Sequence, residues 1–274
     1  MTWRCSCFEF DTKMPIVMGI LNVTPDSFSD GGRHNSLDAA LEHALRLIGE
    51  GADIIDVGGE STRPGYEPVT AEEEIRRVVP VIKAIRAVSD VPVSVDTGKS
   101  AVAEAALAAG ADMVNDVWGF RADGALAAVT AKYGAACCLM HSESAPEGEG
   151  FMESMRLSLL KSVRIAEEAG VARERIILDP GVGFAKSYGQ NLAAINRLGE
   201  LRELGFPVLL GVSRKSVIGR ALGLPVEERL EGTIAATVMG AVRGASFIRV
   251  HDVSQNARAL KMARAIMTEG REDG

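Results

Sequence analysis

Short apolar runs rich in β-branched residues recur along the whole chain: Ile16 to Leu21, Asp53 to Val57, Pro92 to Val95, Asp112 to Asn115, Ala136 to Met140, Arg175 to Leu178, Pro207 to Leu210 and Ser246 to Val250. Between them the apolar residues fall at helical spacing, as in Leu37, Leu41, Ala44, Leu45 and Ile48, and again in Ile75, Val78, Val79, Ile82 and Ile85. The pattern predicts eight strands alternating with helices. Runs that are apolar at nearly every position suit strands buried on both faces, which is the mark of a parallel sheet covered by its crossover helices.

Boundary signals agree with this division. Thr70 followed by Glu73 predicts a capping box, and Ser100, Asp123 and Ser254 are candidate N-caps. Gly51, Gly110, Gly134, Gly170 and Gly205 each follow a helical run just before a strand, where a left-handed C-cap is expected. Eight βα units predict a closed (β/α)8 TIM barrel of the α/β class. A doubly wound dinucleotide-binding sheet is disfavoured because no G-x-G-x-x-G follows the first strand; Gly19 and the Gly31-Gly32 pair are wrongly spaced. Thr2 to Lys13 is expected to form a short N-terminal β-hairpin that plugs the barrel floor. The run Thr233 to Val242 is apolar on nearly all faces, which predicts a helix buried on more than one side, by a partner subunit or within the monomer.

Length and composition narrow the picture. A chain of 274 residues suits one barrel domain spanning 1–274 with no linker, and 47% hydrophobic residues supply a large aliphatic core. A formal charge of −7 argues against a nucleic-acid or anionic-membrane surface, so an anionic ligand must be held by a few local cations. No apolar run approaches 18 residues, and Met1 to Phe10 has no apolar core of a leader; a soluble, cytoplasmic protein is expected. Cys137 and Cys138 are adjacent in a predicted strand and so point to opposite faces, and Cys5 and Cys7 have no second Cys/His pair at metal-ligand spacing. All four thiols are expected to be reduced.

A barrel carries its site where its strands end, so the residues just beyond each apolar run are informative. In order these are Asn22; Gly58 to Arg63; Asp96; Asn115 with Asp116; His141; Asp179; Ser213 to Ser216; and Arg249 with His251 and Asp252. Every predicted strand delivers a polar side chain to one rim. Asp96, Asn115 and Asp179 offer carboxylates and an amide suited to the amino-pyrimidinone edge of a planar heterocycle. Arg63, Lys215, Arg249 and His251 offer cations for phosphate or carboxylate. The stretches from Asn22 to Gly32 and from Gly58 to Pro68 are rich in Gly, Pro, Ser and Asp, as functional βα loops of a barrel are.

The loops themselves resemble the signatures of the dihydropteroate synthases, the pterin-binding family: NVTPDSFSDGG from Asn22, GGESTRPG from Gly58, SVDT from Ser94, NDVWGF from Asn115, LDPGVGFAKS from Leu178, GVSRKS from Gly211, GTIAA from Gly232 and RVHDV from Arg249. They stand in family order from Asn22 to Val253. The resemblance implies a transferase of folate biosynthesis that condenses 6-hydroxymethyl-7,8-dihydropterin pyrophosphate with p-aminobenzoate, uses Mg2+, and works as a homodimer. It implies that Asp96, Asn115, Asp179 and Lys215 line the pterin pocket. Pyrophosphate would lie against Asn22, Thr62, Arg63, Arg249 and His251, with Asn22 and Asp30 nearest the metal. Phe28, Thr62, Arg63, Pro64, Phe184, Lys215 and Ser216 would enclose p-aminobenzoate.

Two positions depart from that family's pattern. Gly98 stands where a bulky aromatic is common, which predicts a looser rim, and the stretch His141 to Gly150 differs from the usual fifth loop. Two other functions remain compatible with a pterin-binding barrel: a pterin-dependent methyltransferase domain, and a non-catalytic pterin-binding paralogue. The intact first two loops tell against the former, and the presence of Arg63, Lys215, Arg249 and His251 tells against the latter.

Overall fold

The computed structural model describes every residue except 1, 6, 12–14, 25–32, 61–67, 149 and 271–274, together with the side chains of 33–36. The expected site residues Phe28, Asp30, Thr62, Arg63 and Pro64 therefore lie outside the described residues. Two short strands, β1 (Thr2–Cys5) and β2 (Phe8–Asp11), pair antiparallel. The next eight are β3 (Ile16–Asn22), β4 (Ile54–Gly58), β5 (Val93–Asp96), β6 (Met113–Asp116), β7 (Ala136–Met140), β8 (Ile176–Asp179), β9 (Leu209–Leu210) and β10 (Phe247–Val250).

These eight run parallel in the order β8-β7-β6-β5-β4-β3-β10-β9. A further parallel bridge from Leu178 to Val208 joins β8 to the chain entering β9 and closes the ring. The expected (β/α)8 barrel is thus observed. β9 is shorter than the predicted Pro207 to Leu210 because Pro207 has no N–H to give to a ladder; its carbonyl only accepts, from Leu178 N at 3.0 Å. At the foot of the barrel two aspartates extend the sheet. Asp53 Oδ2 accepts from Val17 N at 2.8 Å and Asp112 Oδ2 from Val93 N at 2.9 Å, which satisfies strand donors that have no ladder partner.

Around the ring lie α1 (Arg33–Gly49), α2 (Ala71–Val88), α3 (Ser100–Ala108), α4 (Leu126–Lys132), α5 (Gly150–Glu168), α6 (Tyr188–Asn196), α7 (Gly199–Arg202), α8 (Ser216–Leu222), α9 (Leu230–Val242) and α10 (Val253–Met267). The five predicted glycine C-caps all have positive φ, from 59° at Gly134 to 107° at Gly110. Thr70 caps α2 by accepting from Glu73 N at 3.3 Å. Ser100 and Ser254, by contrast, lie inside the first turns of α3 and α10. The amide of Ser100 is satisfied instead by Asp123 Oδ2 at 2.7 Å, and Asp123 Oδ1 accepts from Ala125 N at the start of α4. Among the described residues a complete capping box is formed by Ser187 with Gln190, at the start of α6.

Strand pleating divides the core in two. Val17, Leu21, Ile55, Val57, Val95, Val114, Cys137, Leu178 and Ile248 face the helices, whereas Met18, Ile54, Met113, Cys138, Ile177, Leu209 and Phe247 fill the barrel interior. Cys137 and Cys138 take opposite faces as their adjacency requires, and all four thiols are free. Trp3 and Cys5 of β1 belong to the interior cluster: Trp3 is fully buried, edge-on to Phe247 with ring centroids 4.8 Å apart. The hairpin closes the floor, as expected.

The outer helix α9 is not buried on more than one side by the monomer itself. Within the chain it buries one face only, through Thr233, Thr237 and Gly240. Met239 and Val242 stay exposed, and Leu192 of α6 and Leu222 of α8 join Met239 around an apolar groove of about 580 Å³. Small residues on the inward face let the helix approach β9, since a Cβ at Gly240 would overlap Leu210; the bulk is turned outward.

Candidate active site

Above the apolar filling the inward positions become polar. Asp56 of β4, Asp96 of β5, Asn115 of β6, Asp179 of β8 and Arg249 of β10 form one layer at the C-terminal mouth, because each sits at the inward phase of its strand. Arg249 holds the layer together. Its Nε donates to Asp56 Oδ2 at 2.6 Å and its Nη2 to Asp96 Oδ2 at 2.6 Å, while Asn115 Nδ2 donates to the same Asp56 oxygen at 3.1 Å.

Two carboxylates, fully buried Asp56 and partly buried Asp96, share one guanidinium, which leaves negative charge in excess. Burial pushes the Asp96 carboxyl up to about 7, with Arg249 acting against that rise and Asp56 adding to it. Burial alone would lower the Arg249 guanidinium, but Asp56 and Asp96 hold it above the ordinary arginine value. Asp56 has no place among the residues expected from the sequence, although an aspartate inside the apolar run Ile54–Gly58, fully buried in the structure, was the available signal.

Across the mouth, Asp179 is raised by burial, against which Lys215 acts, and its Oδ1 accepts from Gly181 N at 2.7 Å. Lys215 Nζ donates to Val182 O at 2.5 Å and lies 4.7 Å from the centroid of the Phe184 ring. Burial lowers this ammonium to about 8. Glycines make the approach possible: a Cβ at Gly183 would press on Lys215 Cδ at 3.0 Å, and one at Gly181 would overlap the His141 carbonyl oxygen. Ser216 follows as the exposed first residue of α8.

A second lysine, Lys186, joins the site from within the LDPGVGFAKS stretch, although no role is expected for it from the sequence. Its Nζ donates to His141 O at 2.9 Å and to Phe184 O at 3.0 Å, tying the loop after β7 to the loop after β8, and burial lowers it to about 7. His141 is almost wholly buried and its imidazole is pushed down to about 4, first by burial and then by Lys186, so it is neutral near pH 7. The unusual fifth loop is anchored: Arg121 pairs with Glu143 at 2.9 Å, and Gln190 Nε2 donates to Ala145 O and Pro146 O.

At the eighth strand end, Ser213 Oγ lies 2.9 Å from His251 Nδ1 and also accepts from His251 N at 3.2 Å. Arg214, at φ 56°, is committed to Asp252 through Nε at 2.9 Å. Asn22 ends β3, half-buried. Gly58 keeps the space beside it open: a Cβ there would stand 3.7 Å from Asn22 Oδ1 and 3.9 Å from Asp96 Oδ2. The rim at Gly98 is not loosened by the missing side chain, because Trp118 fills that place; a Cβ at Gly98 would be 2.8 Å from Trp118 Cδ1.

The structure thus brings Asp96, Asn115, Asp179, Lys215, Arg249, His251, Phe184, Ser216 and Asn22 to the same end of the barrel. Arg249 is turned into the acidic layer and does not offer a free cation beside His251. Among the described residues no group of three or more His, Cys, Asp or Glu side chains could hold a metal ion, and no helix is long and apolar enough to cross a membrane.

Comparison with known proteins places this arrangement. The profile described as pterin binding enzyme matches residues 18–251. A dihydropteroate synthase of Clostridium beijerinckii is 58% identical over 252 residues, covering 92% of this chain and 94% of that relative. The solved dihydropteroate synthase of Xanthomonas albilineans with 4-aminobenzoic acid superposes with a TM-score of 0.92 at 44% identity, covering 97% of this chain and 98% of the other. The same organism's enzyme in complex with 7,8-dihydropteroate gives 0.89 at 42% identity, with 97% and 99% covered.

Proposed function

This chain belongs to the pterin binding enzyme family, and from that premise we propose that it is the transferase that condenses 6-hydroxymethyl-7,8-dihydropterin pyrophosphate with p-aminobenzoate to 7,8-dihydropteroate and pyrophosphate. The observation that carries the reading is the polar layer of partly buried Asp96 with buried Asn115 and Asp179, faced by Lys215 at one mouth of the barrel. A pterin presents an amino-pyrimidinone edge of alternating donors and acceptors. Asp179 can accept from its amino group and ring N–H, Asn115 can both give and accept, and Lys215 can donate to the carbonyl oxygen and a ring nitrogen.

The leaving group is a polyanion, so catalysis is chiefly electrostatic. Ser213 Oγ accepts from the His251 amide and lies 2.9 Å from its Nδ1, which holds the imidazole in place, and His251 would meet a phosphate oxygen of the departing group. Thr62 and Arg63 would add their donors there. Asp96, ionised, stabilises the positive charge that spreads over the pterin ring as the carbon–oxygen bond breaks. Arg249 orients that carboxylate and keeps Asp56 paired. The aryl amine of p-aminobenzoate, set between Phe184, Lys215 and Ser216 with Phe28 and Pro64, attacks without any enzyme nucleophile.

Asn22, half-buried at the end of β3, supports an Mg2+ site there, since this ion takes one or two protein oxygens with the rest from water and phosphates. When bound with Asn22 and Asp30 it would supply Lewis-acid stabilisation to the departing pyrophosphate. The outward apolar face of α9, with Leu192 and Leu222, supports pairing of two copies into a homodimer, and the four free thiols with the net charge of −7 support a cytoplasmic setting. Pyrophosphate release measured with and without p-aminobenzoate tests the reading. Release that does not depend on the aryl amine would overturn it, and methyl transfer to a corrinoid acceptor would establish the methyltransferase alternative instead.

A further inference from the structure

Lys215 reaches the polar layer from a tight turn rather than from a strand. Its N donates to Val212 O at 3.1 Å, and of the two residues between them Arg214 sits at φ 56°, in the left-handed region that L side chains rarely adopt. A turn of this kind ordinarily carries glycine or asparagine there. An arginine stays in such a conformation only where its surroundings over-determine it.

Every polar part of Arg214 is held. Its side chain grips Asp252, with Nε donating to Oδ2 at 2.9 Å. Its backbone is held from another direction, by the start of α9: Arg214 N donates to Thr233 Oγ1 at 3.1 Å, and Arg214 O accepts from Arg229 Nη1 at 3.0 Å. Thr233 is fully buried, and its hydroxyl is aimed by donating to Arg229 O at 2.8 Å. The Arg229 guanidinium is braced by a second bond, from Nε to Leu224 O at 3.1 Å, and lies on Gly219 of α8, where a Cβ would overlap it. Beside it α9 closes tightly on α8, since a Cβ at Gly232 would overlap Ile218.

A side chain that reads a ligand is only as well placed as the backbone it starts from. Lys215 directly follows Arg214, directly precedes α8, and extends to Val182 O and the Phe184 ring. A relaxed turn would move the root of that side chain. We propose that Thr233 and Arg229 are positioning residues for the pterin: from outside the polar layer they lock Arg214 in its left-handed turn and so fix where Lys215 sets out toward Asp179. The proposal rests on the reading that Lys215 meets the pterin.

The test is a double-mutant cycle on the full chain, read by titration calorimetry with 6-hydroxymethyl-7,8-dihydropterin, which carries no pyrophosphate to lose. Thr233→Val keeps the buried shape and removes the acceptor for Arg214 N, while Arg229 O still accepts from the amide at position 233. Thr233→Val and Arg229→Met are each expected to weaken the Kd at least fivefold, and Thr233→Ser, which keeps the hydroxyl, to stay within twofold of wild type. In a Lys215→Ala background either loss should shrink to less than twofold, because the residue being positioned is gone. Should Thr233→Val fail to fold, judged by circular dichroism, Arg229→Met completes the cycle with Thr233 in place. Where Lys215→Ala binds too weakly to titrate, the serine decides: Thr233→Ser as weak as Thr233→Val overturns the proposal. An unchanged Kd in the folded variants, or an equal loss with and without Lys215, overturns it as well. A wild type that does not bind this pterin overturns the functional reading and the inference with it.

Discussion

Asp56 and Arg249 stand 193 residues apart in sequence and meet inside the barrel, where Arg249 Nε donates to Asp56 Oδ2 over 2.6 Å. The second oxygen of Asp56 has no partner among the described residues, so this guanidinium is what makes the buried charge tolerable.

Arg249→Ala should therefore destabilise the fold as well as slow catalysis. Stranding a buried ion-pair partner costs about 3–5 kcal/mol. The loss should be smaller at pH 5 than at pH 8, because Asp96, already raised to about 7, takes up a proton at the lower pH and relieves the repulsion with Asp56. Urea unfolding at the two pH values checks this; equal losses would mean that the two acids are not held apart by Arg249 alone.

The pH profile of kcat/KM for the pterin substrate should be a narrow bell. Asp96 must be ionised, so activity falls as pH drops through about 7, and Lys215 must be protonated, so activity falls as pH rises through about 8. A profile flat from pH 6 to pH 9 would assign both roles to other groups.

Lys215→Ala should leave the fold intact and cut turnover severely. One charge-assisted hydrogen bond is worth about 1.5–3 kcal/mol, or roughly 10- to 150-fold, and a share in transition-state charge adds to that. The variant also frees Val182 O and the face of Phe184. Near-wild-type kcat/KM in a folded protein, judged by circular dichroism, would remove Lys215 from the site.

Trp3→Ala should do the reverse. Its indole fills the barrel floor against Phe247, and truncating a buried aromatic costs about 3–5 kcal/mol. Thermal unfolding should shift down markedly while kcat per folded molecule stays within about twofold of wild type, since the polar layer lies at the other end of the strands. A fall in kcat with unchanged Tm would contradict this division between floor and mouth.

Most of the barrel was legible in the sequence because its determinants are local: apolar runs separated by helical period, and glycines such as Gly51 and Gly110 at αL caps. What escaped depended on who meets whom across the ring. Asp56 is one polar letter in the run Asp53 to Val57 until closure sets Arg249 beside it. Lys186 was hidden in the same way, since its partners His141 O and Phe184 O are backbone atoms that no motif spells out. The expected looseness at Gly98 failed because the compensating bulk, Trp118, comes from the next strand's loop. Local signals likewise placed caps at Ser100 and Ser254, but a carboxylate from another loop, Asp123, met the first need, and Asp252 precedes α10.

The plugged floor has a kinetic consequence. With Trp3 and Cys5 closing one end of the barrel, molecules reach the polar layer by the opposite mouth alone. On the proposed placement the pterin lies against buried Asn115 and Asp179, whereas the aryl amine is met by Phe184 and exposed Ser216 nearer the solvent. A cul-de-sac fixes the order of entry. The pterin pyrophosphate must enter before p-aminobenzoate, an aryl amine arriving early occupies the doorway as a dead-end occupant, and steady-state patterns should be those of a compulsory-order enzyme.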